Sequence, residues 1–204
     1  MRHLILILTL ALSLSLSAAE SESTVQAGSD TLAPPSLRQW TFAMRTNLLH
    51  DALLTPDIGL EAGRGRLALV ADGSFARWGG MRRCWHIKRG EIEARYRFRD
   101  HPSRQALTGQ TIGVFVSVFD YNIKFGNVGR QSEHVSWTTG ISYSYSLPLN
   151  RHLNLEIGGG IGLMRTKYTR YSLKDGIRVY DGNRSRIFFG PVKAEVSLVW
   201  LLPL

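Results

Sequence analysis

Three groups of residues in this chain have types and spacings that could do chemistry. His134-Val135-Ser136 places an imidazole two residues before a hydroxyl. On an extended strand, positions i and i+2 share a face, so His134 could act as general base for a Ser136 nucleophile, a pair that is similar to the His-x-Ser of lipid A-modifying hydrolases. Against this, no acid follows before Glu156 to orient the imidazole, and both side chains would point to the polar face rather than toward lipid. Gly158-Gly159-Gly160-Ile161-Gly162 superficially resembles a phosphate-cradling loop. It lacks the GxGxxG spacing and precedes no helix pattern, so the glycines read as bends or as relief of crowding in a strand.

The third group is charged. Arg45, Glu61, Asp72, Glu93, Arg95, Glu156, Lys193 and Glu195 each fall on the polar face of an otherwise apolar alternating segment. Five acids stand against four bases, Arg97 being the fourth, and this near-balance reads as an ion-pair network filling a narrow interior rather than as catalytic carboxylates. The single cysteine, Cys84, excludes an intrachain disulfide and a cysteine-based zinc site and reads as a loop or packing residue. No metal or cofactor is expected.

The elements that must position these residues have a period of two from Trp40 onward, the signature of β-strands. In Val135–Leu147, Val135, Trp137, Thr139, Ile141, Tyr143, Tyr145 and Leu147 alternate with Ser136, Thr138, Gly140, Ser142, Ser144 and Ser146. Ile92, Ala94, Tyr96 and Phe98 alternate with Glu91, Glu93, Arg95, Arg97 and Arg99, and the last segment sets Val192, Ala194, Val196, Leu198 and Trp200 against Lys193, Glu195, Ser197 and Val199. Eight segments are expected, over roughly 39–48, 56–64, 66–77, 88–99, 109–124, 134–147, 152–170 and 185–202. Tight turns at Arg64-Gly65 and Pro148–Arg151 fall on one side, and longer polar stretches at 77–88 and 170–185 on the other. The connection at 99–109 is long for the short-turn side.

Polarity decides what such a fold faces. A soluble barrel turns its apolar face inward around a ligand, whereas a membrane barrel turns it outward to lipid and keeps a polar interior. Packing the charged face into a dry apolar core would carry a large desolvation penalty, so the membrane arrangement is preferred and a soluble periplasmic ligand-binding barrel is the alternative. Eight strands leave an interior that side chains fill, so no open pore is expected.

The chain begins with Met1-Arg2-His3, an apolar run Leu4–Leu16 and Ser17-Ala18-Ala19, the pattern of a cleaved secretory signal peptide over 1–19. A flexible lead-in, 20–38, rich in Ser, Thr and Pro, precedes the barrel domain at 39–204. Over 204 residues the formal charge is +9, which allows polyanionic partners, and export makes nucleic acid an unsuitable one. The cations crowd the expected outer loops, with Arg82, Arg83, Lys88 and Arg89 in one and Arg170, Lys174 and Arg178 in another, alongside Arg77, Lys167, Arg184 and Arg186. Arginine suits bidentate contact with lipid A phosphates.

The segments Arg45–Ala52 (RTNLLHDA) and Leu54–Glu61 (LTPDIGLE), together with Glu93–Phe98, Gly140–Tyr145, Asn154–Gly158 and Phe189–Ala194, resemble the domain of unknown function 3575 family over about residues 43 to 201. The resemblance implies an exported outer-membrane β-barrel protein of Gram-negative bacteria with no established activity. Many outer-membrane barrels end in an aromatic residue, whereas Leu201–Leu204 follow Trp200 here. The expectation is an all-β, eight-stranded, antiparallel, closed up-and-down transmembrane barrel in the outer membrane, monomeric and not an enzyme. Its expected role is structural, adhesive or partner-binding, through basic loops that meet lipopolysaccharide or a surface or periplasmic protein.

Overall fold

The computed structural model describes residues 40–79, 83–101, 105–126, 128–174 and 177–203, within the compact unit Leu37–Leu204. The expected signal peptide and lead-in lie outside the described residues. The strands are β1 (Trp40–Asn47), β2 (Asp57–Arg64), β3 (Leu67–Gly79), β4 (Arg83–Arg99), β5 (Gly109–Phe125), β6 (Val128–Ser132), β7 (Ser136–Asn150), β8 (Leu153–Lys174) and β9 (Ile177–Leu202), with one short helix, α1 (Leu48–Ala52). The fold is all-β and every strand pairing is antiparallel.

Hydrogen-bonded pairs run β1–β2–β3–β4–β5–β7–β8–β9 and return from β9 to β1, a ring of eight strands. Tracing partners from Phe42 through Ala62, Leu69, Ala94, Val114, Ile141 and Ile161 reaches Pro191, whereas the direct partner of Phe42 in β9 is Leu202. One circuit therefore shifts the register by eleven positions along β9, the stagger that tilted strands produce when a sheet returns on itself. The ninth strand, β6, stands apart from the circuit. It bridges the far ends of β5 and β8 beyond the start of β7.

The strands extend further than the alternating pattern indicates. The stretches 77–88 and 170–185, read as loops, are largely paired hairpin: Gly79 faces Cys84, and Lys174 faces Ile177. Both ends of the ring are therefore distinguishable. The terminal end carries Trp40, Leu202 and the tight turns; the distal end carries α1 and the tall hairpins β3–β4 and β8–β9.

Side-chain burial follows the period of two. On β5, Thr111, Gly113, Phe115 and Ser117 are buried while Ile112, Val114, Val116 and Val118 are exposed. The exposed apolar residues continue around the ring as a belt: Ile58 and Leu60 on β2, Leu69 and Phe75 on β3, Ile92 and Tyr96 on β4, Ile141 and Tyr143 on β7, Ile157 and Ile161 on β8, Trp200 on β9. Gln110 and Asp120 bound it on β5, a span of about nine residues.

Residues 105–109 of the connection pack against the terminal end of the ring. Leu107 is buried in one cluster with Ala43, Val199 and Leu201. Gln105 donates to Asn154 Oδ1 at 2.6 Å, and Asn154 donates to Ala106 O at 3.0 Å. Leu107 has φ 58°, a left-handed conformation that costs a non-glycine residue about 1–3 kcal/mol. Burying its side chain returns a similar amount, about 1.5–3 kcal/mol, so packing holds the strained backbone. Gly109, at φ 109°, completes the bend where a Cβ would collide with Arg99 O.

Candidate functional site

The polar faces of the ring strands meet in its interior. Arg95 of β4 donates from Nη1 to Glu156 Oε1 of β8 at 2.7 Å and from Nη2 to Glu93 Oε2 at 2.8 Å, and lies 3.4 Å from Glu195 of β9. β4 and β8 are separated in the ring by β5 and β7, so the Arg95–Glu156 bond crosses the interior. Arg45 of β1 donates to Glu61 of β2 at 3.2 Å and to Glu156 at 3.1 Å, sits 3.5 Å from Asp72 of β3, and contacts Glu195. Lys193 of β9 donates to Glu91 at 2.7 Å and Glu93 at 2.5 Å, with its ammonium over the Phe115 ring. The eight charged residues singled out from the sequence thus form one network, with Arg45 and Arg95 each only 2% exposed.

Small residues make this network possible. The Ser142 hydroxyl donates to Glu93, and a Cβ on Gly113 would fall onto both. A Cβ on Gly59 would fall onto Asp72 and Arg45, and one on Gly160 would meet Phe115 at 2.9 Å. The glycines of 158–162 thus lie in β8, where Gly158 and Gly162 allow close approach of the paired strand β7 and Gly160 leaves room for Phe115 of β5. Each cation touches three or more carboxylates, and this multiplicity offsets the several kcal/mol that burying each ion costs.

At the distal end Asp57 opens β2 and organises the rim. Its carboxylate accepts from Ser74 and lies 3.3 Å from His50 Nδ1 and 3.7 Å from Arg89 Nη1. Asn47 caps α1, accepting from Leu49 N at 3.1 Å. Trp85 Nε1 donates to Thr55 Oγ1 at 3.0 Å and Trp78 Nε1 donates to Leu54 O, which ties the α1 segment to the β3–β4 hairpin.

Several sequence expectations shift. Arg89 is no loop cation: it lies in β4, donates to Ser117 at 3.1 Å and pairs with Glu91. Arg83 and Lys88 are exposed strand residues of β4, and Arg170 is a half-buried residue of β8. Arg82 lies outside the described residues; Lys174 and Arg178 are placed as backbone positions at the tip of the β8–β9 hairpin. The half-buried Cys84 is likewise in β4, its Sγ 3.6 Å from Asn122 O.

His134 and Ser136 do not form a dyad. β7 begins only at Ser136, so His134 lies in the preceding bend, exposed, with its carbonyl accepting from Ser132 at 2.5 Å. Ser136 is buried and donates to Thr166 Oγ1 at 2.8 Å. Glu91, Ser142 and Asp57 are absent from the charged set expected from the sequence, and Arg89 is expected there only as a loop cation. The signal for Glu91 was in hand, since it shares the face of Glu93 two residues on. Among the described residues no group of three or more His, Cys, Asp or Glu is placed to hold a metal ion.

Comparison with curated proteins and with solved structures finds no match. The model of the family described as "Protein of unknown function (DUF3575)" matches residues 5–202. With nearly its whole length matched, and the fold all-β as that resemblance implies, the chain belongs to the DUF3575 family.

Proposed function

We propose that the chain is an eight-stranded, closed, up-and-down transmembrane β-barrel of the bacterial outer membrane. It acts as a monomeric platform without an open pore, and its basic distal rim meets lipopolysaccharide or a protein partner. One observation carries this reading: the ring is apolar outside and ionic inside, with Val114 60% exposed and Glu93 1% exposed on neighbouring strands. In water that polarity would leave a continuous apolar belt unburied. In a bilayer the belt meets hydrocarbon and the ring satisfies every strand's backbone groups.

The dimensions support the same reading. About nine residues of β5 lie between Gln110 and Asp120, within the roughly 9–11 that a tilted strand needs to cross hydrocarbon. Trp40, Tyr96, Phe98, Tyr143 and Trp200 gather toward the terminal end, where an aromatic girdle belongs. Among the described residues no helix is long and apolar enough to cross a membrane, so strands would do so. The ion network and the Leu107 cluster occupy the interior at two levels, which favours a plugged barrel over a channel. A platform rather than a hydrolase is favoured by the engagement of Ser136 with Thr166.

Fractionation tests the proposal. Expressed in a Gram-negative host, the protein is expected in urea-washed outer membranes, with unboiled samples migrating differently from boiled ones on gels. Recovery from the soluble periplasm would refute it and favour a soluble ligand-binding barrel.

A further inference from the structure

The outer face of the ring is not uniformly covered. A cavity of about 700 Å³ opens at the distal edge of the apolar belt, lined by Ile58, Gly73, Phe75, Arg77 and Trp78 together with Pro56 and the rim residues Asp57, Ser74 and Arg89. Gly73 forms its floor. Its cross-strand partners are Ile58 on β2 and Gly90 on β4, and a Cβ built on Gly73 meets nothing closer than 3.9 Å. Two glycines side by side on the outward face therefore leave a depression where the rest of the belt carries Ile, Leu or Val. Beyond the cavity toward the terminal end, the outward face carries the small Ala71 between its cross-strand partners Leu60 and Ile92.

The distal end of this groove is cationic. Arg77 is exposed on the outward face of β3, and Lys88, the partner of Phe75, is exposed on the outward face of β4. The partner of Arg77 is His86, so Arg77 and Lys88 are diagonal neighbours, roughly 7–8 Å apart at Cα. That spacing lets a guanidinium fork and an ammonium reach one phosphate from two sides. The volume suits a small amphiphile, which is the usual scale of a ligand pocket.

We propose that this groove is a binding site for a single phosphate-bearing lipid. One acyl chain lies over Gly73 and Ala71, between Ile58 and Phe75 at the head and Leu60 and Ile92 below. The phosphate sits on Arg77 and Lys88. The inference rests on the membrane reading, which sets the apolar half of the groove in hydrocarbon and the cations at headgroup level. A partner protein is disfavoured because the floor is concave and only a narrow end of it is charged.

The test is native mass spectrometry of the full mature protein in detergent, titrated separately with dihexanoyl phosphatidate, dihexanoylglycerol and inorganic phosphate. One phosphatidate is expected to bind per chain, with dihexanoylglycerol and inorganic phosphate each at least tenfold weaker. Arg77→Gln should weaken phosphatidate about tenfold by removing a charge-assisted contact worth roughly 1.4 kcal/mol. Gly73→Leu fills the floor without backbone strain and should abolish one-to-one binding, while Lys167→Gln on β8 should leave it unchanged. Equal binding of phosphatidate and dihexanoylglycerol, equal binding of phosphatidate and inorganic phosphate, or indifference to Arg77→Gln would each overturn the site. A chain that stays monodisperse without detergent would instead refute the membrane reading beneath it.

Discussion

Replacing Arg95 by Met removes one of the two cations of the interior that each meet four carboxylates, while keeping most of its aliphatic volume. The guanidinium contacts Glu93, Glu156 and Glu195 within 3.4 Å and Glu61 at 3.8 Å, so four strands lose a shared counter-ion. Removing one member of a buried ion pair costs about 3–5 kcal/mol, chiefly because the remaining charge is stranded. The stranding is severe here. Glu61, Asp72, Glu91, Glu93, Glu156 and Glu195 face Arg45, Arg95 and Lys193, with Arg89 joining at the distal rim and the half-buried Arg97 on the same face of β4. Carboxylates therefore outnumber cations, and losing a cation should hurt more than losing an acid. Glu156→Gln is expected to cost less than Arg95→Met, and the double variant less than the sum of the two, with a coupling of about 0.5–3 kcal/mol. The assay is urea unfolding of the protein refolded into thin phosphatidylcholine vesicles, followed by tryptophan fluorescence and by the fraction retaining folded gel mobility. A 3–5 kcal/mol loss would shift the unfolding equilibrium by roughly two to three and a half orders of magnitude. If Arg95→Met unfolds within 0.5 kcal/mol of the unmodified protein, the interior is wet enough to solvate stranded carboxylates, and the network is not a buried plug.

Three further outcomes are expected. Val116→Arg sets a charge near the middle of the β5 belt and should cost about 2–4 kcal/mol in the same vesicle assay, whereas Val116→Leu should cost almost nothing. Planar bilayers containing the protein should show no ohmic steps; regular steps would mean that the ion network and the Leu107 cluster leave a continuous path. Ser136→Ala should lose about 1 kcal/mol with its bond to Thr166 while His134→Ala loses none, and neither should alter the lipid A mass spectrum of cells expressing the protein, a change in which would revive the hydrolase reading.

The strands that cross the belt were legible because each has one face in the interior and one in the apolar band. Val135–Leu147 and Ile92–Phe98 carry that contrast at every step, and their inward and outward residues fall where the alternation put them. Beyond the belt the contrast fades. The distal ends of β4 and β9 are exposed or half-buried on both faces at the described positions, so polar residues such as Arg83, Arg184 and Arg186 fill them and the pairing looks like loop. The five-residue α1 is too short for a helical period, and only its Asn47 cap marks it. Leu107 was missed because its burial depends on a non-local pocket formed by Ala43, Val199 and Leu201. The network residues could be named from alternation alone, but not their partners. That Arg95 reaches Glu156 follows only once the sheet has returned on itself.

The central claim is that the outward face lies in hydrocarbon and the inward face does not. Spin labels on single cysteines in a Cys84→Ser background, at Ile141 and Tyr143 on the outward face and at Ser144 and Ser146 on the inward face of β7, read this directly in reconstituted vesicles. Collision with oxygen should be high and with a water-soluble nickel complex low at Ile141 and Tyr143, and both should be low at the buried Ser144 and Ser146. Free access of the nickel complex to Ile141 and Tyr143 would place that face in water and contradict the account.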